Sequence, residues 1–192
     1  RDATLTLGTI GGGGALDKDN FGTLVLNGAN TYTGTTRVRD GRLVLDYSTS
    51  AADNKLSNTS GLFLGGGRTG AVLELKNTPG TSVVEVVPGT TLDRGEHNIV
   101  KDPGTVLGRA VIDLGAITRN TGALLDVESG GLARTVTNNT STGILGAWAT
   151  VGHTSWAFKN ETNNVTGFIE PVSSFVIDNW VSTSSNTDVQ NS

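Results

Sequence analysis

The sequence predicts an all-β chain wound as a parallel solenoid, and three observations carry that expectation. Four phrases, TLTLG, TLVLN, RLVLD and GLFLG, return Leu5, Leu24, Leu43 and Leu62 at intervals of nineteen residues. Glycine supplies 27 of the 192 residues, about twice its ordinary share of ~7%, beside abundant Thr and Asn that favour strands and turns. No segment carries a capped apolar period of 3.6 residues, so no long helix is expected.

Each phrase reads as a short strand. Leu5 and Leu7, Leu24 and Leu26, Leu43 and Leu45, and Leu62 and Leu64 sit two apart and so share one face. Gly8, Asn27, Asp46 and Gly65 follow at the same phase, all residues that accept turn geometry. A second ladder runs through AVLEL, TTLDR and AVIDL and places Leu73, Leu92 and Ile112 at spacings of nineteen and twenty. Parallel neighbours need a long return path, and a coil of ~20 residues cannot bury its apolar face alone. Coils stacked at ~4.8 Å would pile these side chains into an internal ladder, with about nine coils standing on the order of 40 Å tall. TSVVEVV at 81–87 and GALLDV at 122–127 are further strand candidates.

The organisation expected is a solenoid over residues 1–142, a modified terminal segment over 143–183 and a polar tail over 184–192. Aromatic residues mark the change: Trp148, Trp156, Phe158, Phe168, Phe175 and Trp180 fall in the last quarter. Bulky rings fit poorly inside a narrow coil but seal its end, which suggests capping or assembly. The opening RDATLTLG has no initiator Met and reads as a processed product or a piece of something larger.

Composition excludes several function classes. A net charge of −4 with scattered Lys and Arg lacks the basic footprint of nucleic-acid binding. The absence of Cys removes disulfides and thiolate metal sites. No apolar run reaches the ~20 residues needed to span a bilayer as a helix.

The chemically richest stretch is LDRGEHN, with Asp93, Arg94, Glu96 and His97. A lyase or glycosidase needs carboxylates and a base converging on a groove, whereas a solvated turn is the plainer reading, and no catalytic residue is assigned. Glu74, Asp93 and Asp113 share one phase of the second ladder. If stacked, their repulsion would favour a hard cation such as Ca²⁺, against ordinary solvent-facing acids. GGGG at 11–14 lacks the Lys-Ser/Thr of a phosphate loop and reads as a flexible corner. Trp148, Trp156 and Trp180 are candidates for stacking on sugar rings, or for core packing. Asn58, Asn138, Asn139, Asn160 and Asn164 head N-x-S/T triplets expected by chance in so Asn- and Thr-rich a chain.

Residues 22–45, GTLVLNGANTYTGTTRVRDGRLVL, resemble the autotransporter passenger-associated β-strand repeat through Gly22, Thr23, Leu24, Leu26, Gly28, Asn30, Thr31, Tyr32, Gly34, Thr36, Val38, Gly41, Leu43 and Leu45. TGILGAWATVGHTSWAF, from Thr142 to Phe158, is similar to a phrase that follows such repeats. The resemblance implies a right-handed parallel β-helix on a bacterial exterior, in a stalk, adhesin or passenger. Nothing in the chain reads as a membrane-embedded barrel of alternating strands.

The function expected is therefore a structural, non-enzymatic extracellular module forming a surface stalk or a self-assembling fibre, with an adhesive role. Head-to-tail self-association and surface glycans or host ligands are the partners expected. A carbohydrate-binding module and a polysaccharide lyase or hydrolase are the alternatives.

Overall fold

A computed structural model describes residues 3–77, 80–103, 108–136, 143–160 and 167–172, without the side chains of 81, 108 and 109. Trp180, Phe175, the tail at 184–192, the rest of the 143–183 segment beyond 172, and Asn138, Asn139 and Asn164 lie outside the described residues.

The chain coils into stacked parallel sheets. The first face runs through β1 (Thr4–Leu7), β4 (Thr23–Leu26), β7 (Gly41–Asp46), β9 (Ala71–Lys76), β12 (Gly95–Lys101), β15 (Ala123–Val127) and β18 (Ala149–Val151), each hydrogen-bonded to the next. The second face holds β3 (Leu16–Lys18), β6 (Thr36–Val38), β8 (Leu62–Leu64), β11 (Gly89–Leu92) and β14 (Ala116–Arg119). On the third face β2 (Gly11–Gly12) pairs with β5 (Thr31–Tyr32), and β10 (Thr81–Val86) is followed by β13 (Gly108–Asp113) and β16 (Ala133–Thr135).

Period-2 alternation aims every second residue inward, and the register aligns those residues from coil to coil. Leu5 lies opposite Leu24, Leu24 opposite Leu43, and Leu43 opposite Leu73. Ile99, Val127 and Val151 continue the column. From Leu24 onward its members are buried, and they join the inward residues of the other faces in one continuous core.

The two ladders read from spacing are rearranged. Leu62 lies on the second face, in β8, between Thr36 and Thr90. Leu92 is also on the second face, opposite Leu64, while Ile112 is on the third, opposite Glu85 and Ala133. Apolar alternation looks the same on any face, so a nineteen-residue recurrence marks strands without saying which sheet they join. The ~19–20-residue coil holds between β1, β4 and β7, but Leu43 meets its partner Leu73 only thirty residues on. An excursion over 47–60 lengthens that coil.

The excursion fills the third face at the level of the third coil, where no strand forms. Below it, Asn30 donates its N–H to the Asn54 carbonyl at 2.9 Å and its Nδ2 to the Lys55 carbonyl at 2.7 Å. Above it, the Glu85 side chain of β10 accepts the Lys55 and Leu56 N–H groups at 3.1 and 2.8 Å. A backbone bond and an Asn30 side-chain bond below, and the Glu85 side chain above, thus stand in for strand pairing on both sides of an irregular segment, as buried backbone polar groups require.

The aromatic-richer segment turns the parallel stack antiparallel. β19 (Ser155–Asn160) pairs with β18 on one side and β20 (Gly167–Pro171) on the other, β17 (Gly143–Ile144) pairs with β19, and β20 pairs with β16. The β19–β20 pair therefore bridges the first and third faces and occupies the outer edges of both β18 and β16.

Candidate functional site

One group of chemistry-bearing side chains gathers at the turns from the second face to the first, which stack into a column along the solenoid. The successive turns follow β3, β6, β8, β11 and β14. The turn after β8, GGGRTG at 65–70, is longer than the two-residue turn before it at 39–40 and the one after it at 93–94.

Asp40 anchors that long turn. Its carboxylate, nearly sealed from solvent, accepts the N–H groups of Arg68 at 2.9 Å, Thr69 at 2.8 Å and Gly70 at 3.4 Å, with the Thr69 hydroxyl at 3.0 Å. Burial pushes the carboxyl upward, but these hydrogen bonds outweigh it and hold Asp40 at about 2. Gly67 passes so close that an added Cβ would lie 2.1 Å from the Asp40 carboxylate. One coil below, the Lys18 ammonium donates to the carbonyls of Asp19, Asn20 and Asp40. Burial lowers its pKa against the opposing charges of Asp19 and Asp40.

The LDRGEHN stretch occupies the next turn. His97 is fully buried, its Nδ1 accepting the Ala71 N–H at 3.2 Å while Nε2 lies 2.7 Å from the Asp93 carbonyl. An acceptor at Nδ1 and a donor at Nε2 define one neutral tautomer, and burial lowers the imidazole's pKa. His97 thus joins two coils. The Asp93 carboxylate takes an Asn120 amide hydrogen bond at 2.5 Å, and Glu96 is exposed on the outer face, 3.8 Å from His153.

Glu74, Asp93 and Asp113 do not stack. Glu74 is on β9 of the first face, Asp93 in a turn, and Asp113 on β13 of the third face. Glu74 is bound by Arg42 and Asp113 by Arg134 at 2.9 Å. The shared phase belonged to two different faces and a turn, and among the described residues no group of three or more His, Cys, Asp or Glu is arranged to hold a metal ion. Trp148 packs partly against the core beneath the Arg119 guanidinium, whose centre is 6.0 Å from the ring. Trp156 lies on β19 opposite Thr150 and is 40% exposed. The GGGG corner is partly strand, since Gly11 and Gly12 pair with Thr31 and Tyr32.

Sequence reasoning passed over Asp40, Lys55 and Glu85. Glu85 was detectable, because in TSVVEVV it shares the inward phase of Val83 and Val87, both buried. Its carboxylate is also fully buried and accepts the Tyr47 hydroxyl at 2.7 Å. Burial pushes it up to about 7 against its hydrogen-bond donors. Lys55 is fully buried too, donating through Nζ to the carbonyls of Asn27 and Ser50.

This arrangement is a polar scaffold inside a solenoid. Residues 16–45 match the passenger-associated-transport-repeat family. Over 128 residues, 66% of this chain and 4% of the relative, the sequence is 35% identical to the adhesin BmaC autotransporter of Brucella suis biovar 1 (strain 1330). Over 102 residues, 50% of this chain and 10% of the relative, it is 37% identical to the extracellular serine protease of Serratia marcescens. The chain thus spans a small fraction of either relative's length. No solved structure matches. Fold, repeat and relatives together define an all-β passenger-type solenoid segment, exposed at the bacterial surface or secreted.

Proposed function

We propose that this segment is a non-enzymatic structural stalk that carries adhesive surface away from the cell. The observation that supports it most is the unbroken parallel ladder from β1 to β18, seven strands deep and so roughly 30 Å tall at ~4.8 Å per step. Backbone hydrogen bonds along that ladder and the leucine column within it resist bending. The similarity to an adhesin autotransporter supports the adhesive setting.

On the first and third faces the β19–β20 pair supports a stalk over a head-to-tail fibre. Open strand edges template further pairing, but β19 and β20 already occupy the outer edges of β18 and β16. Against an enzyme, LDRGEHN spends His97 on two backbone groups and Asp93 on Asn120.

Light scattering on the purified chain, joined to reducing-end and unsaturated-uronide assays across acidic polysaccharides, tests this reading. A mass near 19.8 kDa and no cleavage are expected. Concentration-independent filaments, or turnover abolished by Asp93→Ala, would overturn it.

A further inference from the structure

The long turn after β8 opens a cavity. With six residues in the turn at 65–70 against two in the turn at 39–40, a hollow of about 450 Å³ lies between these two and the first turn at 19–22. That volume lies within the range of small-ligand sites, ~300–1,000 Å³. Asp19, Asn20, Phe21, Arg39 and Arg68 line it, with the Asp40 anchor at its base.

Its lining has the chemistry of a sugar acid's complement. Phe21 leaves 52% of its surface open, an apolar ring face available to the C–H face of a pyranose. The Arg68 guanidinium has no ion-pair partner among the described residues, and Arg39 has only a loose contact with Asp17 at 3.9 Å between two exposed side chains. Guanidinium forks bind carboxylates bidentately. Asn20 adds an amide and Asp19 a carboxylate for hydroxyl groups.

The hollow is also held rigid. Four donor groups of the 68–70 segment bonded to Asp40, and positive φ angles at Gly65, Gly66 and Gly70, fix a long turn whose exposed charged side chain is Arg68. A stalk needs no such long turn, since the adjacent turns close in two residues.

We propose that this hollow is a binding site for a carboxylate-bearing sugar, with Arg68 and Arg39 gripping the carboxylate and Phe21 stacking on the ring. The inference does not rest on the stalk reading: a chain that fails to bind sugar can still be a stalk, and a chain that binds can still polymerise.

Titration of the purified chain by amide-resolved NMR and calorimetry with tri-galacturonate, 3′-sialyllactose and neutral lactose tests the site. Saturable binding of one or both acidic probes is expected, with shifts confined to residues 19–21, 39–40 and 66–69. Tri-galacturonate alone would indicate an internal uronate, sialyllactose alone a terminal sugar acid. Arg68→Ala and Phe21→Ala should each weaken binding about tenfold or more, with melting temperature unchanged for Arg68→Ala. Arg94→Ala, one turn farther along the column, should leave affinity within about twofold. No saturable binding of either acidic probe, equal affinity for lactose, or undiminished binding by Arg68→Ala would overturn the proposal.

Discussion

The Tyr47 hydroxyl donates a 2.7 Å hydrogen bond to the Glu85 carboxylate in a site where neither residue is more than 2% exposed. The same carboxylate accepts the N–H groups of Lys55 and Leu56. A side chain on β10 thereby does what a neighbouring strand does elsewhere, satisfying the backbone of the 47–60 excursion.

Glu85 should make stability depend on pH in a defined direction. With its carboxyl raised from 4.5 to about 7, the folded chain binds the extra proton between those values. Its contribution is therefore fully present below about 4.5 and lost as pH rises through about 7. Glu85→Gln removes this component of the melting profile between pH 5 and 8. It also sets an amide N–H₂ against one of three donors, at a cost of about 1–3 kcal/mol. A variant retaining the wild-type slope would show that another group titrates.

Asp40 should act with the opposite sign. Held at about 2 rather than 3.8, it contributes stability above about 4 that is lost as pH falls toward 2. Asp40→Asn leaves an N–H₂ facing backbone donors and should destabilise by about 1–3 kcal/mol or more, measured by urea unfolding at pH 7. The difference from wild type should shrink by pH 2. Hydrogen exchange at Thr69 and Gly70 should rise in the variant.

Much of the fold was legible because burial writes itself into period-2 alternation. Leu5, Leu24 and Leu43 stack as their spacing implied. Leu62 does not, because alternation carries no record of which face a strand joins, and the lengthened 47–60 segment has no regular period. The repeat's own residues acquire reasons only in three dimensions. Asn30 bonds Ile10 below and Lys55 above, and Tyr32 is buried with its hydroxyl 2.6 Å from Thr36. The Asp40 anchor was invisible for the same reason, as its donors lie 28 to 30 residues away. The hollow at Arg68 depends on unequal turn lengths in three stacked coils, a relation no single stretch displays.

His97 is the second acid-sensitive group. Its pKa is lowered by burial from 6.5, so the unfolded chain binds the proton first as pH falls. The contribution is present above about 6.5 and lost toward the folded value. Protonation would also turn Nδ1 into a donor facing the Ala71 N–H. His97→Gln should cost about 1–3 kcal/mol and flatten the acid limb near pH 6, followed by imidazole NMR.

The leucine column predicts unequal costs along one ladder. Leu43 is fully buried between Leu24 and Leu73, whereas Leu5 is 58% exposed. Leu43→Ala should destabilise by about 2–5 kcal/mol, and Leu5→Ala by less than about 1 kcal/mol. Equal losses in denaturant unfolding would contradict the coil order.

Two glycines of the same corner should respond in opposite ways to a methyl group. A Cβ on Gly34 would lie 2.2 Å from the Gly14 carbonyl oxygen in the coil below, and neither backbone can withdraw without breaking the stack. A Cβ on Gly14 meets nothing within 4 Å. Gly34→Ala should therefore cost about 1–3 kcal/mol, as overpacking does, while Gly14→Ala stays within about 0.5 kcal/mol of wild type. Thermal melts of the pair check the argument without altering charge or polarity. If Gly34→Ala melts with the wild type, the first two coils cannot approach as closely as the pairings of β2 with β5 and β3 with β6 require, and the repeat's glycine at that position is a turn residue alone.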